Sequence, residues 1–325
     1  MTAPIAIACG GILIDSVVTA SGTVNQNALG GNAVYAAAGL RLWLGAHRVG
    51  IVGHVPANYP PRLLKQLRDA GLLTDGIHRS HVRVRGPEWF VYACDGSRRD
   101  EMSSPDDGDS DPDFPTFRRS HPIGATDVPA EWRAAKGVHL AGNDPRATLD
   151  LAVAMRGAQI TLDPGARAGD LAAHPRSAQI LAAVTAVIPS LKELQILTPG
   201  HDRAAALTAL HHGGAHLALV KLGAEGVLLR LADGGLTTVP ALAVTALDPT
   251  GAGDSFCGGF LAGLLLDRDP VTAACMGTVA ASFAVEGFGP DALLAATPEQ
   301  RDHRLDHLLA RIGHHAETSM KERFP

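Results

Sequence analysis

The sequence predicts an α/β fold, a mostly parallel, doubly wound sheet with helices on both faces and a small β element beside it. After residue 136 apolar strand runs alternate with helical segments, and that βαβα order builds a parallel sheet covered on both sides. Residues 80–99 instead alternate apolar and polar side chains, as antiparallel strands with one solvated face do. The last third of the chain reads as helix.

Taken in order, residues 4–9 form an apolar run that Gly10 and Gly11 end, the pattern of a buried strand and its turn. Residues 12–24 alternate apolar and small polar side chains. A mostly buried helix follows from Asn32 to Leu44, because apolar residues stand all round at helical spacing. Residues 47–53 are the next strand, and Pro60-Pro61 opens a helix that Gly71 closes. Asp95-Gly96 marks a hairpin within 80–99. The stretch from Asp100 is acidic, proline-rich and nearly free of apolar side chains, so 100–130 reads as an exposed acidic loop, a solvated insertion with a mobile flap as the alternative. Strands are expected at 137–142, 158–163, 184–189 and 216–223, with helices between them, and Asp233-Gly234 turns a hairpin that adds antiparallel edge strands. Helices then run from Ala252 to Leu266, from Pro270 to Val285 and from about Pro298 to Ile312.

Composition narrows the function. The 325 residues carry 28 Lys and Arg against 33 Asp and Glu, a net charge of -5, which gives no basic footprint for nucleic acid. No apolar run is long enough to span a bilayer and the first residues lack a basic signal-peptide start, so a cytoplasmic protein is expected. The four cysteines are far apart with no C-x-x-C pair, and the 15 histidines include no H-E-x-x-H, so neither a zinc ribbon nor a histidine metal site is expected.

The chemistry concentrates in Asp248-Pro-Thr-Gly-Ala-Gly-Asp254, which runs straight into an apolar helix. Gly251, Ala252 and Gly253 leave the amides of the helix start uncovered, and such a helix N-terminus attracts anions. Alone, Asp254 reads equally as a helix cap. Beside a bound phosphate, its carboxylate makes sense as the group that takes a proton from an attacking hydroxyl.

This segment closely resembles the second signature of the PfkB (ribokinase-like) carbohydrate kinase family, D-T-x-G-A-G-D-x-F-x-x-G, with Pro249 at the second position. Gly30-Gly31, a helix and Leu44-Gly45 resemble the first signature, Val220 to Gly226 resembles the T-x-G-x-x-G turn with Lys221 in place of threonine, and Pro189 to Glu193 resembles N-x-x-E with Ser190 in place of asparagine. The resemblance spans residues 4–312 and implies a ribokinase-like three-layer α/β/α kinase domain over 1–315. It further implies a β lid from about 12–24 and 80–99, with 316–325 left as a C-terminal tail.

It also implies an ATP- and Mg2+-dependent transfer of phosphoryl to a hydroxyl of a small polyol, a sugar, nucleoside or cyclitol. Asp254 would be the general base, with Gly251, Ala252 and Gly253 contributing amides to an anion hole. Asp15, Gly30, Gly31 and Asn32 would meet the substrate. Asn143 joins them because it ends a strand where open sheets bind ligands. Ser190, Lys221, Gly223 and Gly226 would border the nucleotide, and Glu193 would act on Mg2+ through water. Asp248 and Thr250 match a monovalent-cation site, K+ in relatives, with a loop-stabilising turn as the alternative. Lids of this family often pair between subunits, so a homodimer through the lid is compatible with the sequence. Tyr35 stands where the family commonly has asparagine, so the usual sugar contacts do not transfer. A catalytically idle relative that binds nucleotide or sugar is the alternative reading.

Overall fold

The computed structural model describes residues 3–94, 98–102, 110–231 and 233–323. Strand β1 (Ala6–Cys9) is wholly buried. It is followed by β2 (Leu13–Val18), β3 (Val24–Gly30), helix α1 (Asn32–Leu44), β4 (Val49–Val55), α2 (Pro61–Asp69) and β5 (Leu73–Arg79). Next come β6 (Glu88–Tyr92), β7 (Arg98–Met102), α3 (Phe114–Ser120), β8 (Gly137–Ala141), α4 (Pro145–Ala154) and β9 (Gln159–Asp163). Then follow α5 (Ala168–Ala173), α6 (Ser177–Ala182), β10 (Ala186–Val187), α7 (Leu191–Leu197), α8 (Arg203–His212) and β11 (Leu217–Lys221). The chain closes with β12 (Val227–Arg230), β13 (Leu236–Val239), α9 (Ala252–Leu265), α10 (Pro270–Ala284), α11 (Asp291–Ala295) and α12 (Pro298–Arg323).

The main sheet has the order β13-β12-β11-β10-β9-β8-β1-β4-β5. From β11 to β5 every neighbour is parallel, and β12 and β13 add the expected antiparallel edge. Helices cover both faces, so the doubly wound α/β expectation holds. The chain turns from β1 toward β4 on one side and later returns to β8 on the other. Ligands of open sheets bind at such a switch point, beyond the carboxyl ends of the strands.

Helices α1 and α9 touch backbone to backbone. A Cβ on Gly258 would fall 2.0 Å from the Ala36 carbonyl oxygen, and one on Gly39 would fall 2.3 Å from that of Ser255. Only glycine permits this approach, and it fixes the start of α9 beside the side chains of α1.

A second, four-stranded sheet has the order β3-β2-β6-β7. It departs from the expected β element in three ways. The strands are 13–18, 24–30, 88–92 and 98–102, and the central pair β2/β6 is parallel while the outer pairs are antiparallel. Residues 80–87 form no strand: Ser80 turns its hydroxyl to the Val82 amide, and Pro87 has no N–H to give. The Asp95-Gly96 turn lies outside the described residues.

The segment 100–130 also differs from an exposed loop. Residues 103–109 lie outside the described residues, but Asp113 caps α3 by accepting the Thr116 amide at 2.7 Å, and Phe114 and Phe117 are buried. Trp132 just beyond is buried under Gly50 and Gly76, where a Cβ would meet its ring at 2.5 and 2.9 Å. A run of acidic and proline residues thus ends in an aromatic anchor that the average composition conceals. The segment set apart as a tail, 316–325, continues α12, which runs to Arg323. Among the described residues no helix is long and apolar enough to cross a membrane.

Candidate active site

At the start of α9 the backbone of Gly251 is left-handed, with φ 75°, and the Tyr35 ring of α1 lies where a Cβ would be, at 2.3 Å. Glycine is therefore required twice, for its conformation and for the approach of the ring. The helix then leaves its first amides without intrahelical acceptors, and Asp254 sits in this first turn. Burial, then the Asp163 carboxylate, push the Asp254 carboxyl up to about 7, with Lys221 pulling the other way and Glu193 adding to the rise.

Beneath that turn lies a buried ion pair. Lys221, at the end of β11, holds Asp163, at the end of β9, across the short strand β10. The ammonium lies 3.7 Å from Cys257 Sγ and 3.4 Å from the place a Gly253 Cβ would take. Burial would lower the Lys221 ammonium, but the surrounding Asp163, Cys257, Glu193 and Asp254 hold it protonated, well above its ordinary range. Glu193 forms a capping box with Ser190: its carboxylate accepts the Ser190 amide at 2.7 Å and its own amide donates to the Ser190 hydroxyl at 3.4 Å. Burial and Asp163 raise the Glu193 carboxyl. Gly223 and Gly226 both have positive φ, 60° and 98°, and turn the chain from β11 into β12 next to Lys221.

On the other side, Asp15 from β2 lies against Gly30, whose Cβ would fall 1.9 Å from the Asp15 carboxylate. The diglycine makes room for this carboxylate and for Gly11, whose carbonyl oxygen would be 2.4 Å from a Gly31 Cβ. Among the described residues Asp15 Oδ1, Tyr35 Oη and Asp248 Oδ2 are buried without a hydrogen-bond partner. Burial, followed by Glu88 and Asp248, raises the Asp15 carboxyl well above its ordinary range. Asp248 Oδ1 accepts the Thr250 amide at 2.9 Å, and the Thr250 hydroxyl is 2.8 Å from that of Tyr92 on β6, tying the second sheet to the glycine turn.

Asn32 and Asn143, expected to meet the substrate, are both bonded to backbone. Asn32 Oδ1 accepts the Gly11 and Ala33 amides at 2.6 and 2.9 Å and its Nδ2 donates to the Ala141 carbonyl at 3.3 Å. Asn143 clasps both backbone groups of Ile123, at 2.9 and 2.8 Å. Each amide fastens a loop at the rim of the site. Sequence reasoning missed Tyr92, Arg98 and Arg118. Arg98 lies opposite Tyr92 on β7 and its charge lowers both Asp254 and Asp248, while Arg118 on α3 acts on Asp15. The cross-strand register of Tyr92 and Arg98 runs through a turn the alternation pattern does not fix, and Arg118 was hidden in an apparently solvated segment.

The family model for pfkB family carbohydrate kinases matches residues 11–296. The chain belongs to this family. A cytidine kinase of Thermococcus kodakarensis is 33% identical over 146 residues, 43% of this chain and 52% of that protein. An uncharacterized sugar kinase of Archaeoglobus fulgidus is 32% identical over 111 residues, covering 34% and 44% of the two chains. The chain thus aligns with about half the length of these curated relatives. Among solved structures, Burkholderia thailandensis nucleoside kinase in complex with inosine superposes with a TM-score of 0.71 at 18% identity, over 94% of this chain and 99% of that one. A putative ribokinase II of E. coli in complex with ATP and Mg2+ does so with 0.69 at 18% identity, over 95% and 100%. These likenesses show the ribokinase-like fold.

Proposed function

We propose that this pfkB-family chain transfers the γ-phosphoryl group of ATP to a hydroxyl of a small polyol, a sugar, nucleoside or cyclitol. One observation carries the reading: a carboxyl pushed up to about 7 stands in the first turn of α9, at a helix start that no side chain caps. A base with that pKa is about half ionised at neutral pH, where proton transfer works best. The hydroxyl proton passes to Asp254 while its oxygen bonds to the γ-phosphorus, the bond to the bridging oxygen breaks, and ADP leaves with that electron pair. The amides of Gly251, Ala252, Gly253 and Asp254 hold the charge that develops on the transferred group. Lys221, Ser190 and the turn at Gly223 and Gly226 border the nucleotide phosphates. Asp15, Gly30 and Gly31 receive the acceptor, and Asn32 and Asn143 hold the loops around it.

Mg2+ neutralises phosphate charge when bound with ATP, and it is held in such sites by few protein ligands because it keeps much of its water. The donor set fits: the Glu193 carboxylate faces the same buried cluster as Asp254 and would hold the ion through water. The orphaned Asp248 Oδ2 beside Thr250 fits a monovalent cation such as K+. Replacement of K+ by tetramethylammonium should then lower turnover; equal rates would leave Asp248 as a turn residue. The second sheet serves as the lid, and its edge strand β3, with Val24 51% exposed, is where a homodimer would form. Asp254→Asn should lower turnover by about 10²- to 10⁴-fold with ATP binding retained. Near-normal turnover of that variant would remove the base assignment, and ATP binding without transfer by the wild type would favour the idle relative.

A further inference from the structure

The switch point of the main sheet contains a cavity of about 30 Å³, lined by Gly10, Gly11, His54, Arg118, His121 and Asn143. That is about twice the space one water needs, so the cavity takes only the few atoms at the tip of a ligand. Arg118 reaches it from α3 with its stem over Gly11, where a Cβ would meet Cδ at 2.9 Å and Nη1 at 3.2 Å. Among the described residues Arg118 Nε is buried with no hydrogen-bond partner, and no carboxylate lies within ion-pair distance of the guanidinium. His54, near the end of β4, also has a buried atom without a partner, Nδ1. Its Nε2 lies 3.4 Å from Asp127 Oδ1, which assigns the ring proton to Nε2 and leaves Nδ1 as an acceptor. Burial holds this imidazole below its ordinary value against the pull of Asp127, with His78 and His121 also lowering it, so it stays neutral. Buried polar atoms beside a cavity call for a partner.

The cavity therefore offers a planar, charged donor fork and one acceptor. Its complement is a pair of adjacent acceptor atoms flanked by one donor. We infer that the cavity binds the far end of the phosphoryl acceptor through such a group, found in the α-hydroxy carboxylate of a sugar acid and in the O2, N3 and amino edge of cytosine. The inference rests on the proposed kinase activity and names the acceptor class for it. Gly11, which lines the cavity, lies against Gly31, and the neighbouring Gly30 lies against the Asp15 carboxylate, so the cavity adjoins the acceptor end of the site.

The test compares two matched pairs, gluconate against glucose and cytidine against uridine, as acceptors with Mg-ATP for the wild type, Arg118→Met and Arg118→Lys. Glucose lacks the carboxylate and uridine carries a donor at N3. The wild type should favour gluconate or cytidine over its partner by at least about tenfold in kcat/KM, and Arg118→Met should bring that ratio close to one. Arg118→Lys separates the sources: a point charge keeps part of a gluconate preference and loses a cytidine preference. Equal kcat/KM within both pairs, or a preference that survives Arg118→Met, overturns the inference while leaving the kinase reading intact. Calorimetry without nucleotide keeps the two apart. If no acceptor yields Asp254-dependent ADP, binding of gluconate or cytidine that Arg118→Met abolishes still supports the cavity, and no binding difference within either pair overturns it.

Discussion

At the residue scale the account turns on Asp254 and Lys221. Because Asp254 must be ionised to act, kcat/KM should rise with pH through about 7 and level off above it, as a pH-rate profile would record. The same raised pKa has the opposite sign for stability. The native state holds this proton where the unfolded chain has lost it, so stability due to Asp254 is present below the ordinary value of 3.8 and is lost as pH rises to about 7. Lys221→Met should remove the counter-charge of buried Asp163 and destabilise the fold by about 3–5 kcal/mol, measurable by urea unfolding. Lys221→Met, Asp163→Asn together should recover much of that loss, since no buried charge is then left alone. Asp254 and the glycines before it were legible because their chemistry is local, a few residues at a helix start. The pairing of Lys221 with Asp163 was not, since it joins strand ends 58 residues apart. Asn32 and Asn143 were named from the sequence as candidates for the site, but nothing in the sequence shows that backbone groups already occupy their amides.

At the scale of elements, α1 and α9 were legible almost to the residue, because both are apolar all round and each starts at a glycine turn. Their contact through Gly258 was not, yet it aligns the glycine turn with Tyr35. Gly258→Ala should push the helices apart and cost about 1–3 kcal/mol, seen as a lowered Tm together with reduced turnover. Helix α3 was misjudged because its two phenylalanines stand at the end of a run of acidic residues and prolines, and composition averaged over that stretch outweighs them.

At the scale of the whole molecule, the sheet order follows from strand and helix alternation, whereas the second sheet depends on a parallel pairing of β2 with β6, strands far apart in the chain. Period-two alternation finds β6 but also marks 80–87, which form no strand, and it is silent on which strands pair. The bond from Tyr92 to Thr250 links the second sheet to the glycine turn, and if that sheet acts as the proposed lid, Tyr92→Phe should raise the ratio of ADP formed to acceptor phosphorylated, as water gains entry to the site. An unchanged ratio would separate the lid from water exclusion.

The most direct test of the central claim is the formation of ADP and phosphorylated product from Mg-ATP across sugars, sugar acids, nucleosides and inositols, run in parallel with Asp254→Asn. The account predicts at least one acceptor for which both products appear in equal amounts with the wild type and almost vanish in the variant. Transfer that proceeds equally well without the Asp254 carboxylate would contradict it.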